Sequence, residues 1–452
     1  MKKNNTTMKY KYLSLMICIC IGLSANAQPA DTVAAFSLKQ AIDYAQNHQV
    51  SILNARIDED IARNTVKQTI GIGLPQVSGN ANFQDFIKLP TSLLPGEFFG
   101  QPGTQVPVQF GVKYQSSVGL ELNQLLFDGS YLVGLQAAKT YKELSNKNLT
   151  RTRIETAVAV TKAYYSVLVS NEQLSLVDAN LARLRKTLSD TEAMFKNGFV
   201  EKIDVDRLTV LQNNLDTERE NVIRLLALNV NLLKFQMGMT INSSLVLTDS
   251  ITSLQADQTV LERDSSAYRN RIEYSLLETQ KKVNEFDLKR YKSQFLPSLS
   301  AFGSTSQSFQ SNNFSELFSS NFPSTIIGLR LSVPIISGGI KLNQVRNAKL
   351  VILKTQNDLV NLRNGINLEV DQAQTTYSNS LKSLDNQKRN MELAQEVLRV
   401  SKIKYEQGVG SSIEVTTAET SLKESQNNYI NALYDLMINR VNVDKASGRI
   451  IY

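Results

Sequence analysis

The stretch MFKNGFVEKIDV at 194–205 returns, loosened but in order, as KYEQGVGSSIEV at 404–415, 210 residues on. SVGLELNQLLFDGS at 117–130 is matched by IIGLRLSVPIISGG at 326–339 with a shift of 209, and KFQMG at 234–238 by DKASG at 444–448 with a shift of 210. LPQVSG at 74–79 is matched by LPSLSA at 296–301 with a shift of 222. A chain that repeats itself at such a period is one structural unit written twice, so one architecture has to serve both copies. The larger shift of the last pair puts about a dozen extra residues in the first copy, between Phe83 and Val118. The segment there, KLPTSLLPGEFFGQPGTQVPVQ, is rich in proline and glycine and is expected to be a long loop. The reading divides the chain into a first repeat over 28–238, a connector over 239–265 and a second repeat over 266–452.

Each copy carries two kinds of pattern. Long stretches have a heptad-like rhythm: Leu174, Val177, Leu181, Leu184 and Leu188 are spaced 3, 4, 3, 4, and Leu208, Leu211 and Leu215 continue it. A seam this narrow suits helices wound on helices rather than a thick core. A helical pattern of about 65 residues, at 1.5 Å per residue, would be about 100 Å long. Four short segments instead alternate with period two, and strands are expected at about 75–86, 113–125, 298–309 and 325–334. Val77, Ala81 and Phe83 oppose Ser78, Asn80 and Asn82; Leu120 and Leu122 oppose Glu121 and Asn123; Leu329, Leu331 and Val333 oppose Arg330 and Ser332. Alternation over about ten residues is what a transmembrane β-strand shows, and it is equally what an edge strand of a water-soluble sheet shows. The polar faces have no second apolar layer to pack against, which favours the membrane. Four strands cannot close a barrel and an open edge in lipid is prohibitive, so such a chain would have to oligomerise.

The termini and composition narrow the function classes. Lys2, Lys3, Lys9 and Lys11 precede the apolar run LSLMICICIGL and an Ala25-Asn26-Ala27 site, the pattern of an export signal over 1–27. Cleavage there would leave 425 of 452 residues without cysteine, since Cys18 and Cys20 both lie inside the run. Four lysines and no acid leave with it, taking the net charge from +7 to +3, so the charge gives no argument for a nucleic-acid partner. With no mature cysteine and His48 as the one histidine, thiol catalysis and cysteine or multi-histidine zinc sites are removed, and so is a histidine-based triad unless His48 serves alone. No catalytic residue, cofactor or metal is therefore expected, and the chain is read as a non-enzyme. His48, in YAQNHQVSI, is expected to be an exposed helix-end residue.

The Gly-x-Gly of KYEQGVGSSIEV poses a choice between a phosphate-cradling loop and a chain reversal. A phosphate loop needs a strand before it and a Lys or Ser at fixed spacing. Here a helical pattern leads in through Tyr405 and Glu406, so a reversal between two antiparallel helices is favoured, with tips near 198 and 408.

The duplicated Leu-Pro strands, the VGLxL…FDG and IGLRLSVPIISGG segments and the paired glycine turns together resemble the TolC-like outer membrane efflux proteins. The resemblance extends over essentially all of the mature chain. It implies an α+β membrane protein: a homotrimer with four strands per protomer in one 12-stranded transmembrane β-barrel, continued by long antiparallel helical hairpins that form a periplasmic α-barrel. It implies a passive exit duct in the outer membrane of a Gram-negative bacterium, with most of its mass in the periplasm and lipid around the barrel. The duct would work with a periplasmic adaptor (membrane fusion) protein and an inner-membrane transporter of RND, ABC or MFS type. A type I protein secretion duct is the alternative, and a periplasmic coiled-coil protein that never enters the membrane is a third reading.

The resemblance also assigns roles. Gly198, Phe199 and Val200, with Gly408, Val409 and Gly410, would meet the adaptor. Glu414, six residues past Gly408, would face the lumen as a carboxylate ring, while Thr417 stands where relatives often have a second acid. Asp204, at the matching place in the first copy, would link to Tyr405 in a latch; Gly410 stands where a basic residue usually joins it. The plainer reading of Asp204 and Glu414, favourable charge in the first turn of a helix, stands beside the gating one. Glu121 and Arg330 hold aligned positions on the polar faces, where they would line the barrel lumen or neutralise one another. Only the second copy has a proline, Pro334, at the passage from strand to helix, where the first has Leu125.

Overall fold

Strict alternation with one residue type per face is what lets four short segments pair into a sheet without burying either face in protein. The computed structural model describes residues 34–251 and 266–452. The expected export signal and residues 252–265 of the expected connector lie outside the described residues. In chain order the elements are β1 (Ala34–Phe36), α1 (Leu38–His48), α2 (Val50–Ile72), β2 (Gln76–Asp85), β3 (Thr91–Pro95), β4 (Gln105–Gln109), β5 (Tyr114–Phe127), α3 (Gly129–Lys196), α4 (Lys202–Met237), β6 (Leu245–Leu247), α5 (Ile272–Ser293), β7 (Ser298–Ser311), β8 (Asn321–Ser332), α6 (Ile340–Glu406) and α7 (Ser412–Ala446). Short 3₁₀ turns lie at Gly96–Phe99, Ala267–Asn270 and Phe314–Glu316. Among the described residues, no helix is long and apolar enough to cross a membrane. The chain forms two compact units, described in turn.

The first unit comprises, among the described residues, 34–49, 156–251 and 380–438. Its cores are seams. Val177, Leu181 and Leu184 of α3 pack on Leu208 and Leu215 of α4, with Leu188 and Leu211 alongside. The equivalent seam in the second copy joins Leu398 of α6 to Val415, Ala418 and Leu422 of α7. At the start of the described chain, Ser37 caps α1 in a capping box with Gln40. β1 pairs in parallel with β6, Phe36 opposite Leu247. The buried Tyr164 hydroxyl ties this pair down, donating to the Phe36 carbonyl (3.1 Å) and to Asp249 (2.9 Å). His48 ends α1, exposed, stacked on Tyr44 with ring centroids 3.9 Å apart.

The second unit comprises Val50–Glu155, 266–379 and Asn439–Tyr452, and holds the sheet. The strand order is β2-β5-β7-β8, antiparallel throughout. Most rungs of the ladder keep like with like, with Phe302 and Ile326 among the large apolar side chains on the mostly polar face. Ser78, Glu121 and Ser304 lie level, as do Asn80, Gly119 and Ser306. On the other face Val77, Leu122, Gly303 and Ile327 lie level. Large apolar side chains there stand in the open, Ile327 at 86% and Leu329 at 69% exposure. The outer edges of β2 and β8 pair with no strand among the described residues.

The proline-rich segment expected to be a loop is instead a hairpin: β3 pairs with β4, Thr91 opposite Gln109 and Leu94 opposite Val106. Leu94, Val106 and Val108 share one face of the hairpin, an apolar alternation that the prolines disguise. Gly96 makes the reversal possible, because a Cβ there would fall 2.1 Å from the Gln101 carbonyl oxygen. The passage from strand to helix also differs between copies. In the first, a β-bulge between Leu125 and Phe127 leads straight into α3, whose first turn is capped by Asp128 accepting from the Tyr131 amide (2.8 Å). In the second, β8 ends at Ser332, Pro334 follows, and α6 begins only at Ile340. Proline has no N–H to continue the ladder.

Where α5 meets the chain end, Arg271 is almost wholly buried and grips Glu273 in a two-pronged contact (2.9 and 3.1 Å). It also reaches Glu369 (3.0 Å) and the Ala446 carbonyl (3.3 Å). Burial works against the Glu273 carboxylate, but Arg271 outweighs it and holds the group below its ordinary value of 4.5. A depressed carboxyl stabilises fully above its unfolded value, and this is lost as pH falls through the folded one. Arg271→Leu is expected to cost about 3 kcal/mol of stability at neutral pH, as broken buried pairs do. Below the ordinary carboxyl range the difference from the parent should shrink, and Arg271→Lys should recover only part of the loss because it lacks the fork. Denaturant titration of the purified protein across that pH range measures both.

Candidate functional site at the hairpin tips

Both long hairpins turn by the same device. Gly198 follows α3 with φ of 78° and Gly408 follows α6 with φ of 71°, a left-handed conformation that glycine takes without steric cost. The Gly198 amide donates to the Phe195 carbonyl (2.9 Å) and the Phe199 amide to Met194 (3.0 Å); Gly408 and Val409 repeat this on Tyr405 and Lys404, both 3.0 Å. These are paired Schellman closures, which satisfy the last carbonyls of each helix. They leave one apolar side chain outward on each tip, Phe199 at 80% and Val409 at 79% exposure. Val200 and Gly410 sit half-buried beside them. Gly410 packs on the end of α6, where a Cβ would come within 2.9 Å of Lys404.

The two aligned acids have diverged. Asp204 is the third residue of α4 and accepts from the Glu201 amide (3.3 Å), completing a capping box. Its other oxygen accepts from the Ser412 hydroxyl at the start of α7, and Arg207 lies 3.4 Å from both groups. Asp204 therefore joins the starts of the two return helices. Glu414 sits in the first turn of α7, its amide on the Ser411 hydroxyl (3.3 Å). Its side chain is exposed, and its carboxylate has no hydrogen bond or ion pair among the described residues.

The expected bond between Asp204 and Tyr405 is not made. The Tyr405 hydroxyl is buried with no well-formed hydrogen bond among the described residues, and burial pushes its pKa up by more than the neighbouring Thr191 hydroxyl lowers it. It borders a cavity of about 90 Å³ with Thr187, Thr191, Met194 and Lys402. Asp204 instead accepts from the Ser412 hydroxyl, Arg207 and the Glu201 amide.

Deeper in the same unit lies a charge network that the sequence reading missed. Glu419 of α7, only 5% exposed, lies between Arg183 of α3 (3.5 Å) and Lys402 of α6 (3.7 Å). Burial holds the Lys402 ammonium below the ordinary lysine value, and Glu419 offsets part of that. Asn180 of α3 donates to Gln426 of α7 (2.6 Å), and Lys423 of α7 pairs with Glu218 of α4. Helix α7 is thus held by polar contacts to α3, α4 and α6. An acid on an otherwise small-residue stripe, Glu419 near Val415, Ala418 and Leu422, is the one local sign of this.

On the sheet, Glu121 and Arg330 share the polar face but do not neutralise one another. Glu121 is level with Ser304 and, one strand on, Ile326; Arg330 is level with Ser300. The register therefore offsets them by four residues, about 13 Å along a strand. Glu121 accepts from Asn123 (2.9 Å), and Arg330 lies over the Phe302 ring, 5.2 Å from its centroid.

The chain matches the family described as outer membrane efflux protein over residues 41–227 and 287–449. It is 24% identical over 358 residues to outer membrane protein TolC of Salmonella enteritidis, covering 74% of this chain and 69% of that one. It is 22% identical over 330 residues to the alkaline protease secretion protein AprF of Pseudomonas aeruginosa, covering 72% and 68%. In fold it resembles the open state of the Neisseria gonorrhoeae MtrE outer membrane channel, with a TM-score of 0.71, 20% identity, and 91% and 88% of the two chains covered.

The tip geometry separates a cap-and-tether role for Asp204 from a latch through Tyr405. Asp204→Ala removes a cap and a cross-helix bond, together about 2 kcal/mol. Amide hydrogen exchange at the starts of α4 and α7 should accelerate about tenfold or more. Tyr405→Phe deletes an unsatisfied buried hydroxyl and should leave that exchange unchanged or slower.

Proposed function

The chain belongs to the outer membrane efflux protein family of TolC-like channels, residents of the Gram-negative outer membrane, and on that premise we propose that it is the passive exit duct of a tripartite efflux pump. The observation that carries this reading is the open sheet: one face largely apolar and exposed, the opposite face mostly polar, and at each side an edge that pairs with no strand among the described residues. A protein that buried this sheet in its own core would cover the apolar face, and a water-soluble one would not display it. Lipid against that face and strands of two further copies against those edges satisfy both requirements. Phe83, Tyr114 and Phe314 cluster at the loop end of the strands, 5.6 to 6.4 Å between ring centroids, as an aromatic girdle at the membrane boundary would.

In the proposed duct the polar rungs face water, with Glu121 and Arg330 among the charges that passing solutes meet. Gly198, Phe199, Val200, Gly408, Val409 and Gly410 form the landing surface for a periplasmic adaptor, which couples the duct to an RND, ABC or MFS transporter in the inner membrane. Phe199 and Val409 are the apolar anchors. Glu414, exposed and unpaired, is the gate charge, repeated three times around the pore; with Thr417 where a second acid could stand, the gate is a single ring. Three carboxylates around a narrow opening attract cations and hinder anions. Asp204 tethers the return helices rather than lining the passage, and Tyr405 fills the seam behind it.

Similarity to AprF supports a second reading, a duct for secreted protein, in which the strands and tips act alike and only the cargo differs. Reconstitution into planar bilayers tests the duct reading: discrete conductance steps with cation preference are expected, and absence of conductance contradicts it. Glu414→Gln should lower the cation-to-anion permeability ratio severalfold without abolishing conductance; an unchanged ratio removes Glu414 from the gate.

A further inference from the structure

Charge is unevenly shared between the two ends of the sheet. At one end β2 runs to β5 through residues 86–113 and β7 to β8 through 312–320, where Lys88 and Lys113 are outnumbered by Asp85, Glu97 and Glu316. At the other end every strand adjoins a helix: α2 and α5 lead in, α3 and α6 lead out. The chain next to the strands there, residues 62–72, 128–139, 283–293 and 340–350, holds nine lysines and arginines and three acids. That is a surplus of six positive charges in a chain whose net charge without the export signal is +3. Arg63 is engaged by Glu59 and Asp60, and Arg290 by Asp287. Lys67, Lys139, Lys289, Lys292 and Lys349 are exposed and pair with no acid among the described residues.

These charges are interleaved with aromatic and apolar side chains. Lys289 lies over the Phe286 ring, 5.0 Å from its centroid, Arg290 over Tyr291 (4.9 Å) and Lys341 over Phe295 (5.8 Å). Lys341 also donates to the Gln294 carbonyl, closing the end of α5. Lys289 and Lys292, three residues apart, share an exposed face of α5, and Phe295 and Leu296 are exposed just beyond it. Between β8 and α6, Ile335 and Ile336 stand almost wholly in the open. A lipid headgroup layer accommodates this mixture, since rings and aliphatic stems rest at the border of the acyl chains while the cations meet phosphate.

We infer that the helix ends adjoining the sheet form a collar that binds anionic phospholipid, with the headgroup phosphates of the leaflet on that side meeting Lys67, Lys139, Lys289, Lys292 and Lys349. The inference rests on the sheet being the lipid-spanning part of the duct and adds the class of headgroup that surrounds it. Strands of 10 to 14 residues are long enough to cross the hydrocarbon when tilted, so the residues that follow them directly lie at headgroup depth.

Native mass spectrometry of the full-length protein in neutral detergent, titrated with dioleoylphosphatidylglycerol or dioleoylphosphatidylcholine, tests this. At low ionic strength the parent should bind the anionic lipid at least about fivefold more tightly, and about 0.5 M ammonium acetate should remove most of that preference, because exposed charges are screened. Lys292→Gln with Lys349→Gln should weaken phosphatidylglycerol binding about tenfold and leave phosphatidylcholine binding unchanged. Lys382→Gln with Lys388→Gln, exposed further along α6, should change neither. Equal affinity of the parent for the two lipids overturns the inference, as does a preference that survives high salt or the Lys292 and Lys349 substitutions. Displacement of the bound lipid by inorganic phosphate at the same concentration would mark a site for soluble anions and overturn it too. If the Lys292 and Lys349 substitutions shift the cation-to-anion permeability ratio with lipid binding unchanged, the collar faces the passage and the inference fails. Where conductance appears but the two lipids bind equally, the duct reading stands and this inference alone falls; protein that neither conducts nor retains lipid removes both.

Discussion

Two rows of backbone N–H and C=O groups, along the outer edges of β2 and β8, have no partner within the described chain, and one face of the sheet between them is apolar and uncovered. In water such edges recruit other strands; in lipid each unsatisfied group costs several kcal/mol. Everything particular about this chain follows from resolving that pair of deficits at once. In the proposed duct, copies joined edge to edge would satisfy the backbone, lipid would cover the apolar face, and the polar rungs would be left facing water.

The helices obey a different rule. Their seams are narrow, so little apolar area is available per turn, and position is fixed by caps and by sparse polar contacts. The repeated glycine closures at 198 and 408 give both hairpins the same turn, yet the acids that follow have separated in role. Asp204 is engaged by its cap, Ser412 and Arg207, while the Glu414 carboxylate is exposed with no hydrogen bond or ion pair among the described residues. The Asp204–Ser412 contact and the buried Glu419 group are the polar ties between helices near the tips, and Tyr405 packs between them. Opening by loss of the Glu419 contacts would expose a carboxylate and two cations that water solvates well, which limits its cost.

Much of this was legible in the sequence where a period carries the signal. Val177, Leu181, Leu184, Leu208 and Leu215 form the seam that their 3–4 spacing implies, and the alternating Leu120, Leu122, Leu329 and Leu331 lie on one face of the sheet. What was missed has no local period. The β3–β4 hairpin is masked by Pro95 and Pro107, and β1 and β6, three residues each, are too short to show alternation. Contacts such as Ser412 on Asp204 or Arg183 on Glu419 join residues more than two hundred positions apart, and no spacing rule reaches that far. The bond expected between Tyr405 and Asp204 is not made; Asp204 accepts from Ser412 at the start of the other return helix, a contact no local spacing announces. The neutralising pair of Glu121 and Arg330 failed because alignment between copies is not adjacency in the ladder.

The central claim is that the single chain is one third of a barrel. Native mass measurement on protein extracted from outer membranes in mild detergent addresses it directly. The account expects particles holding three chains, with no appreciable single-chain species until the detergent micelle is denatured. Protein found as a single chain in the soluble periplasmic fraction, or extracted as monomers or dimers, would contradict it.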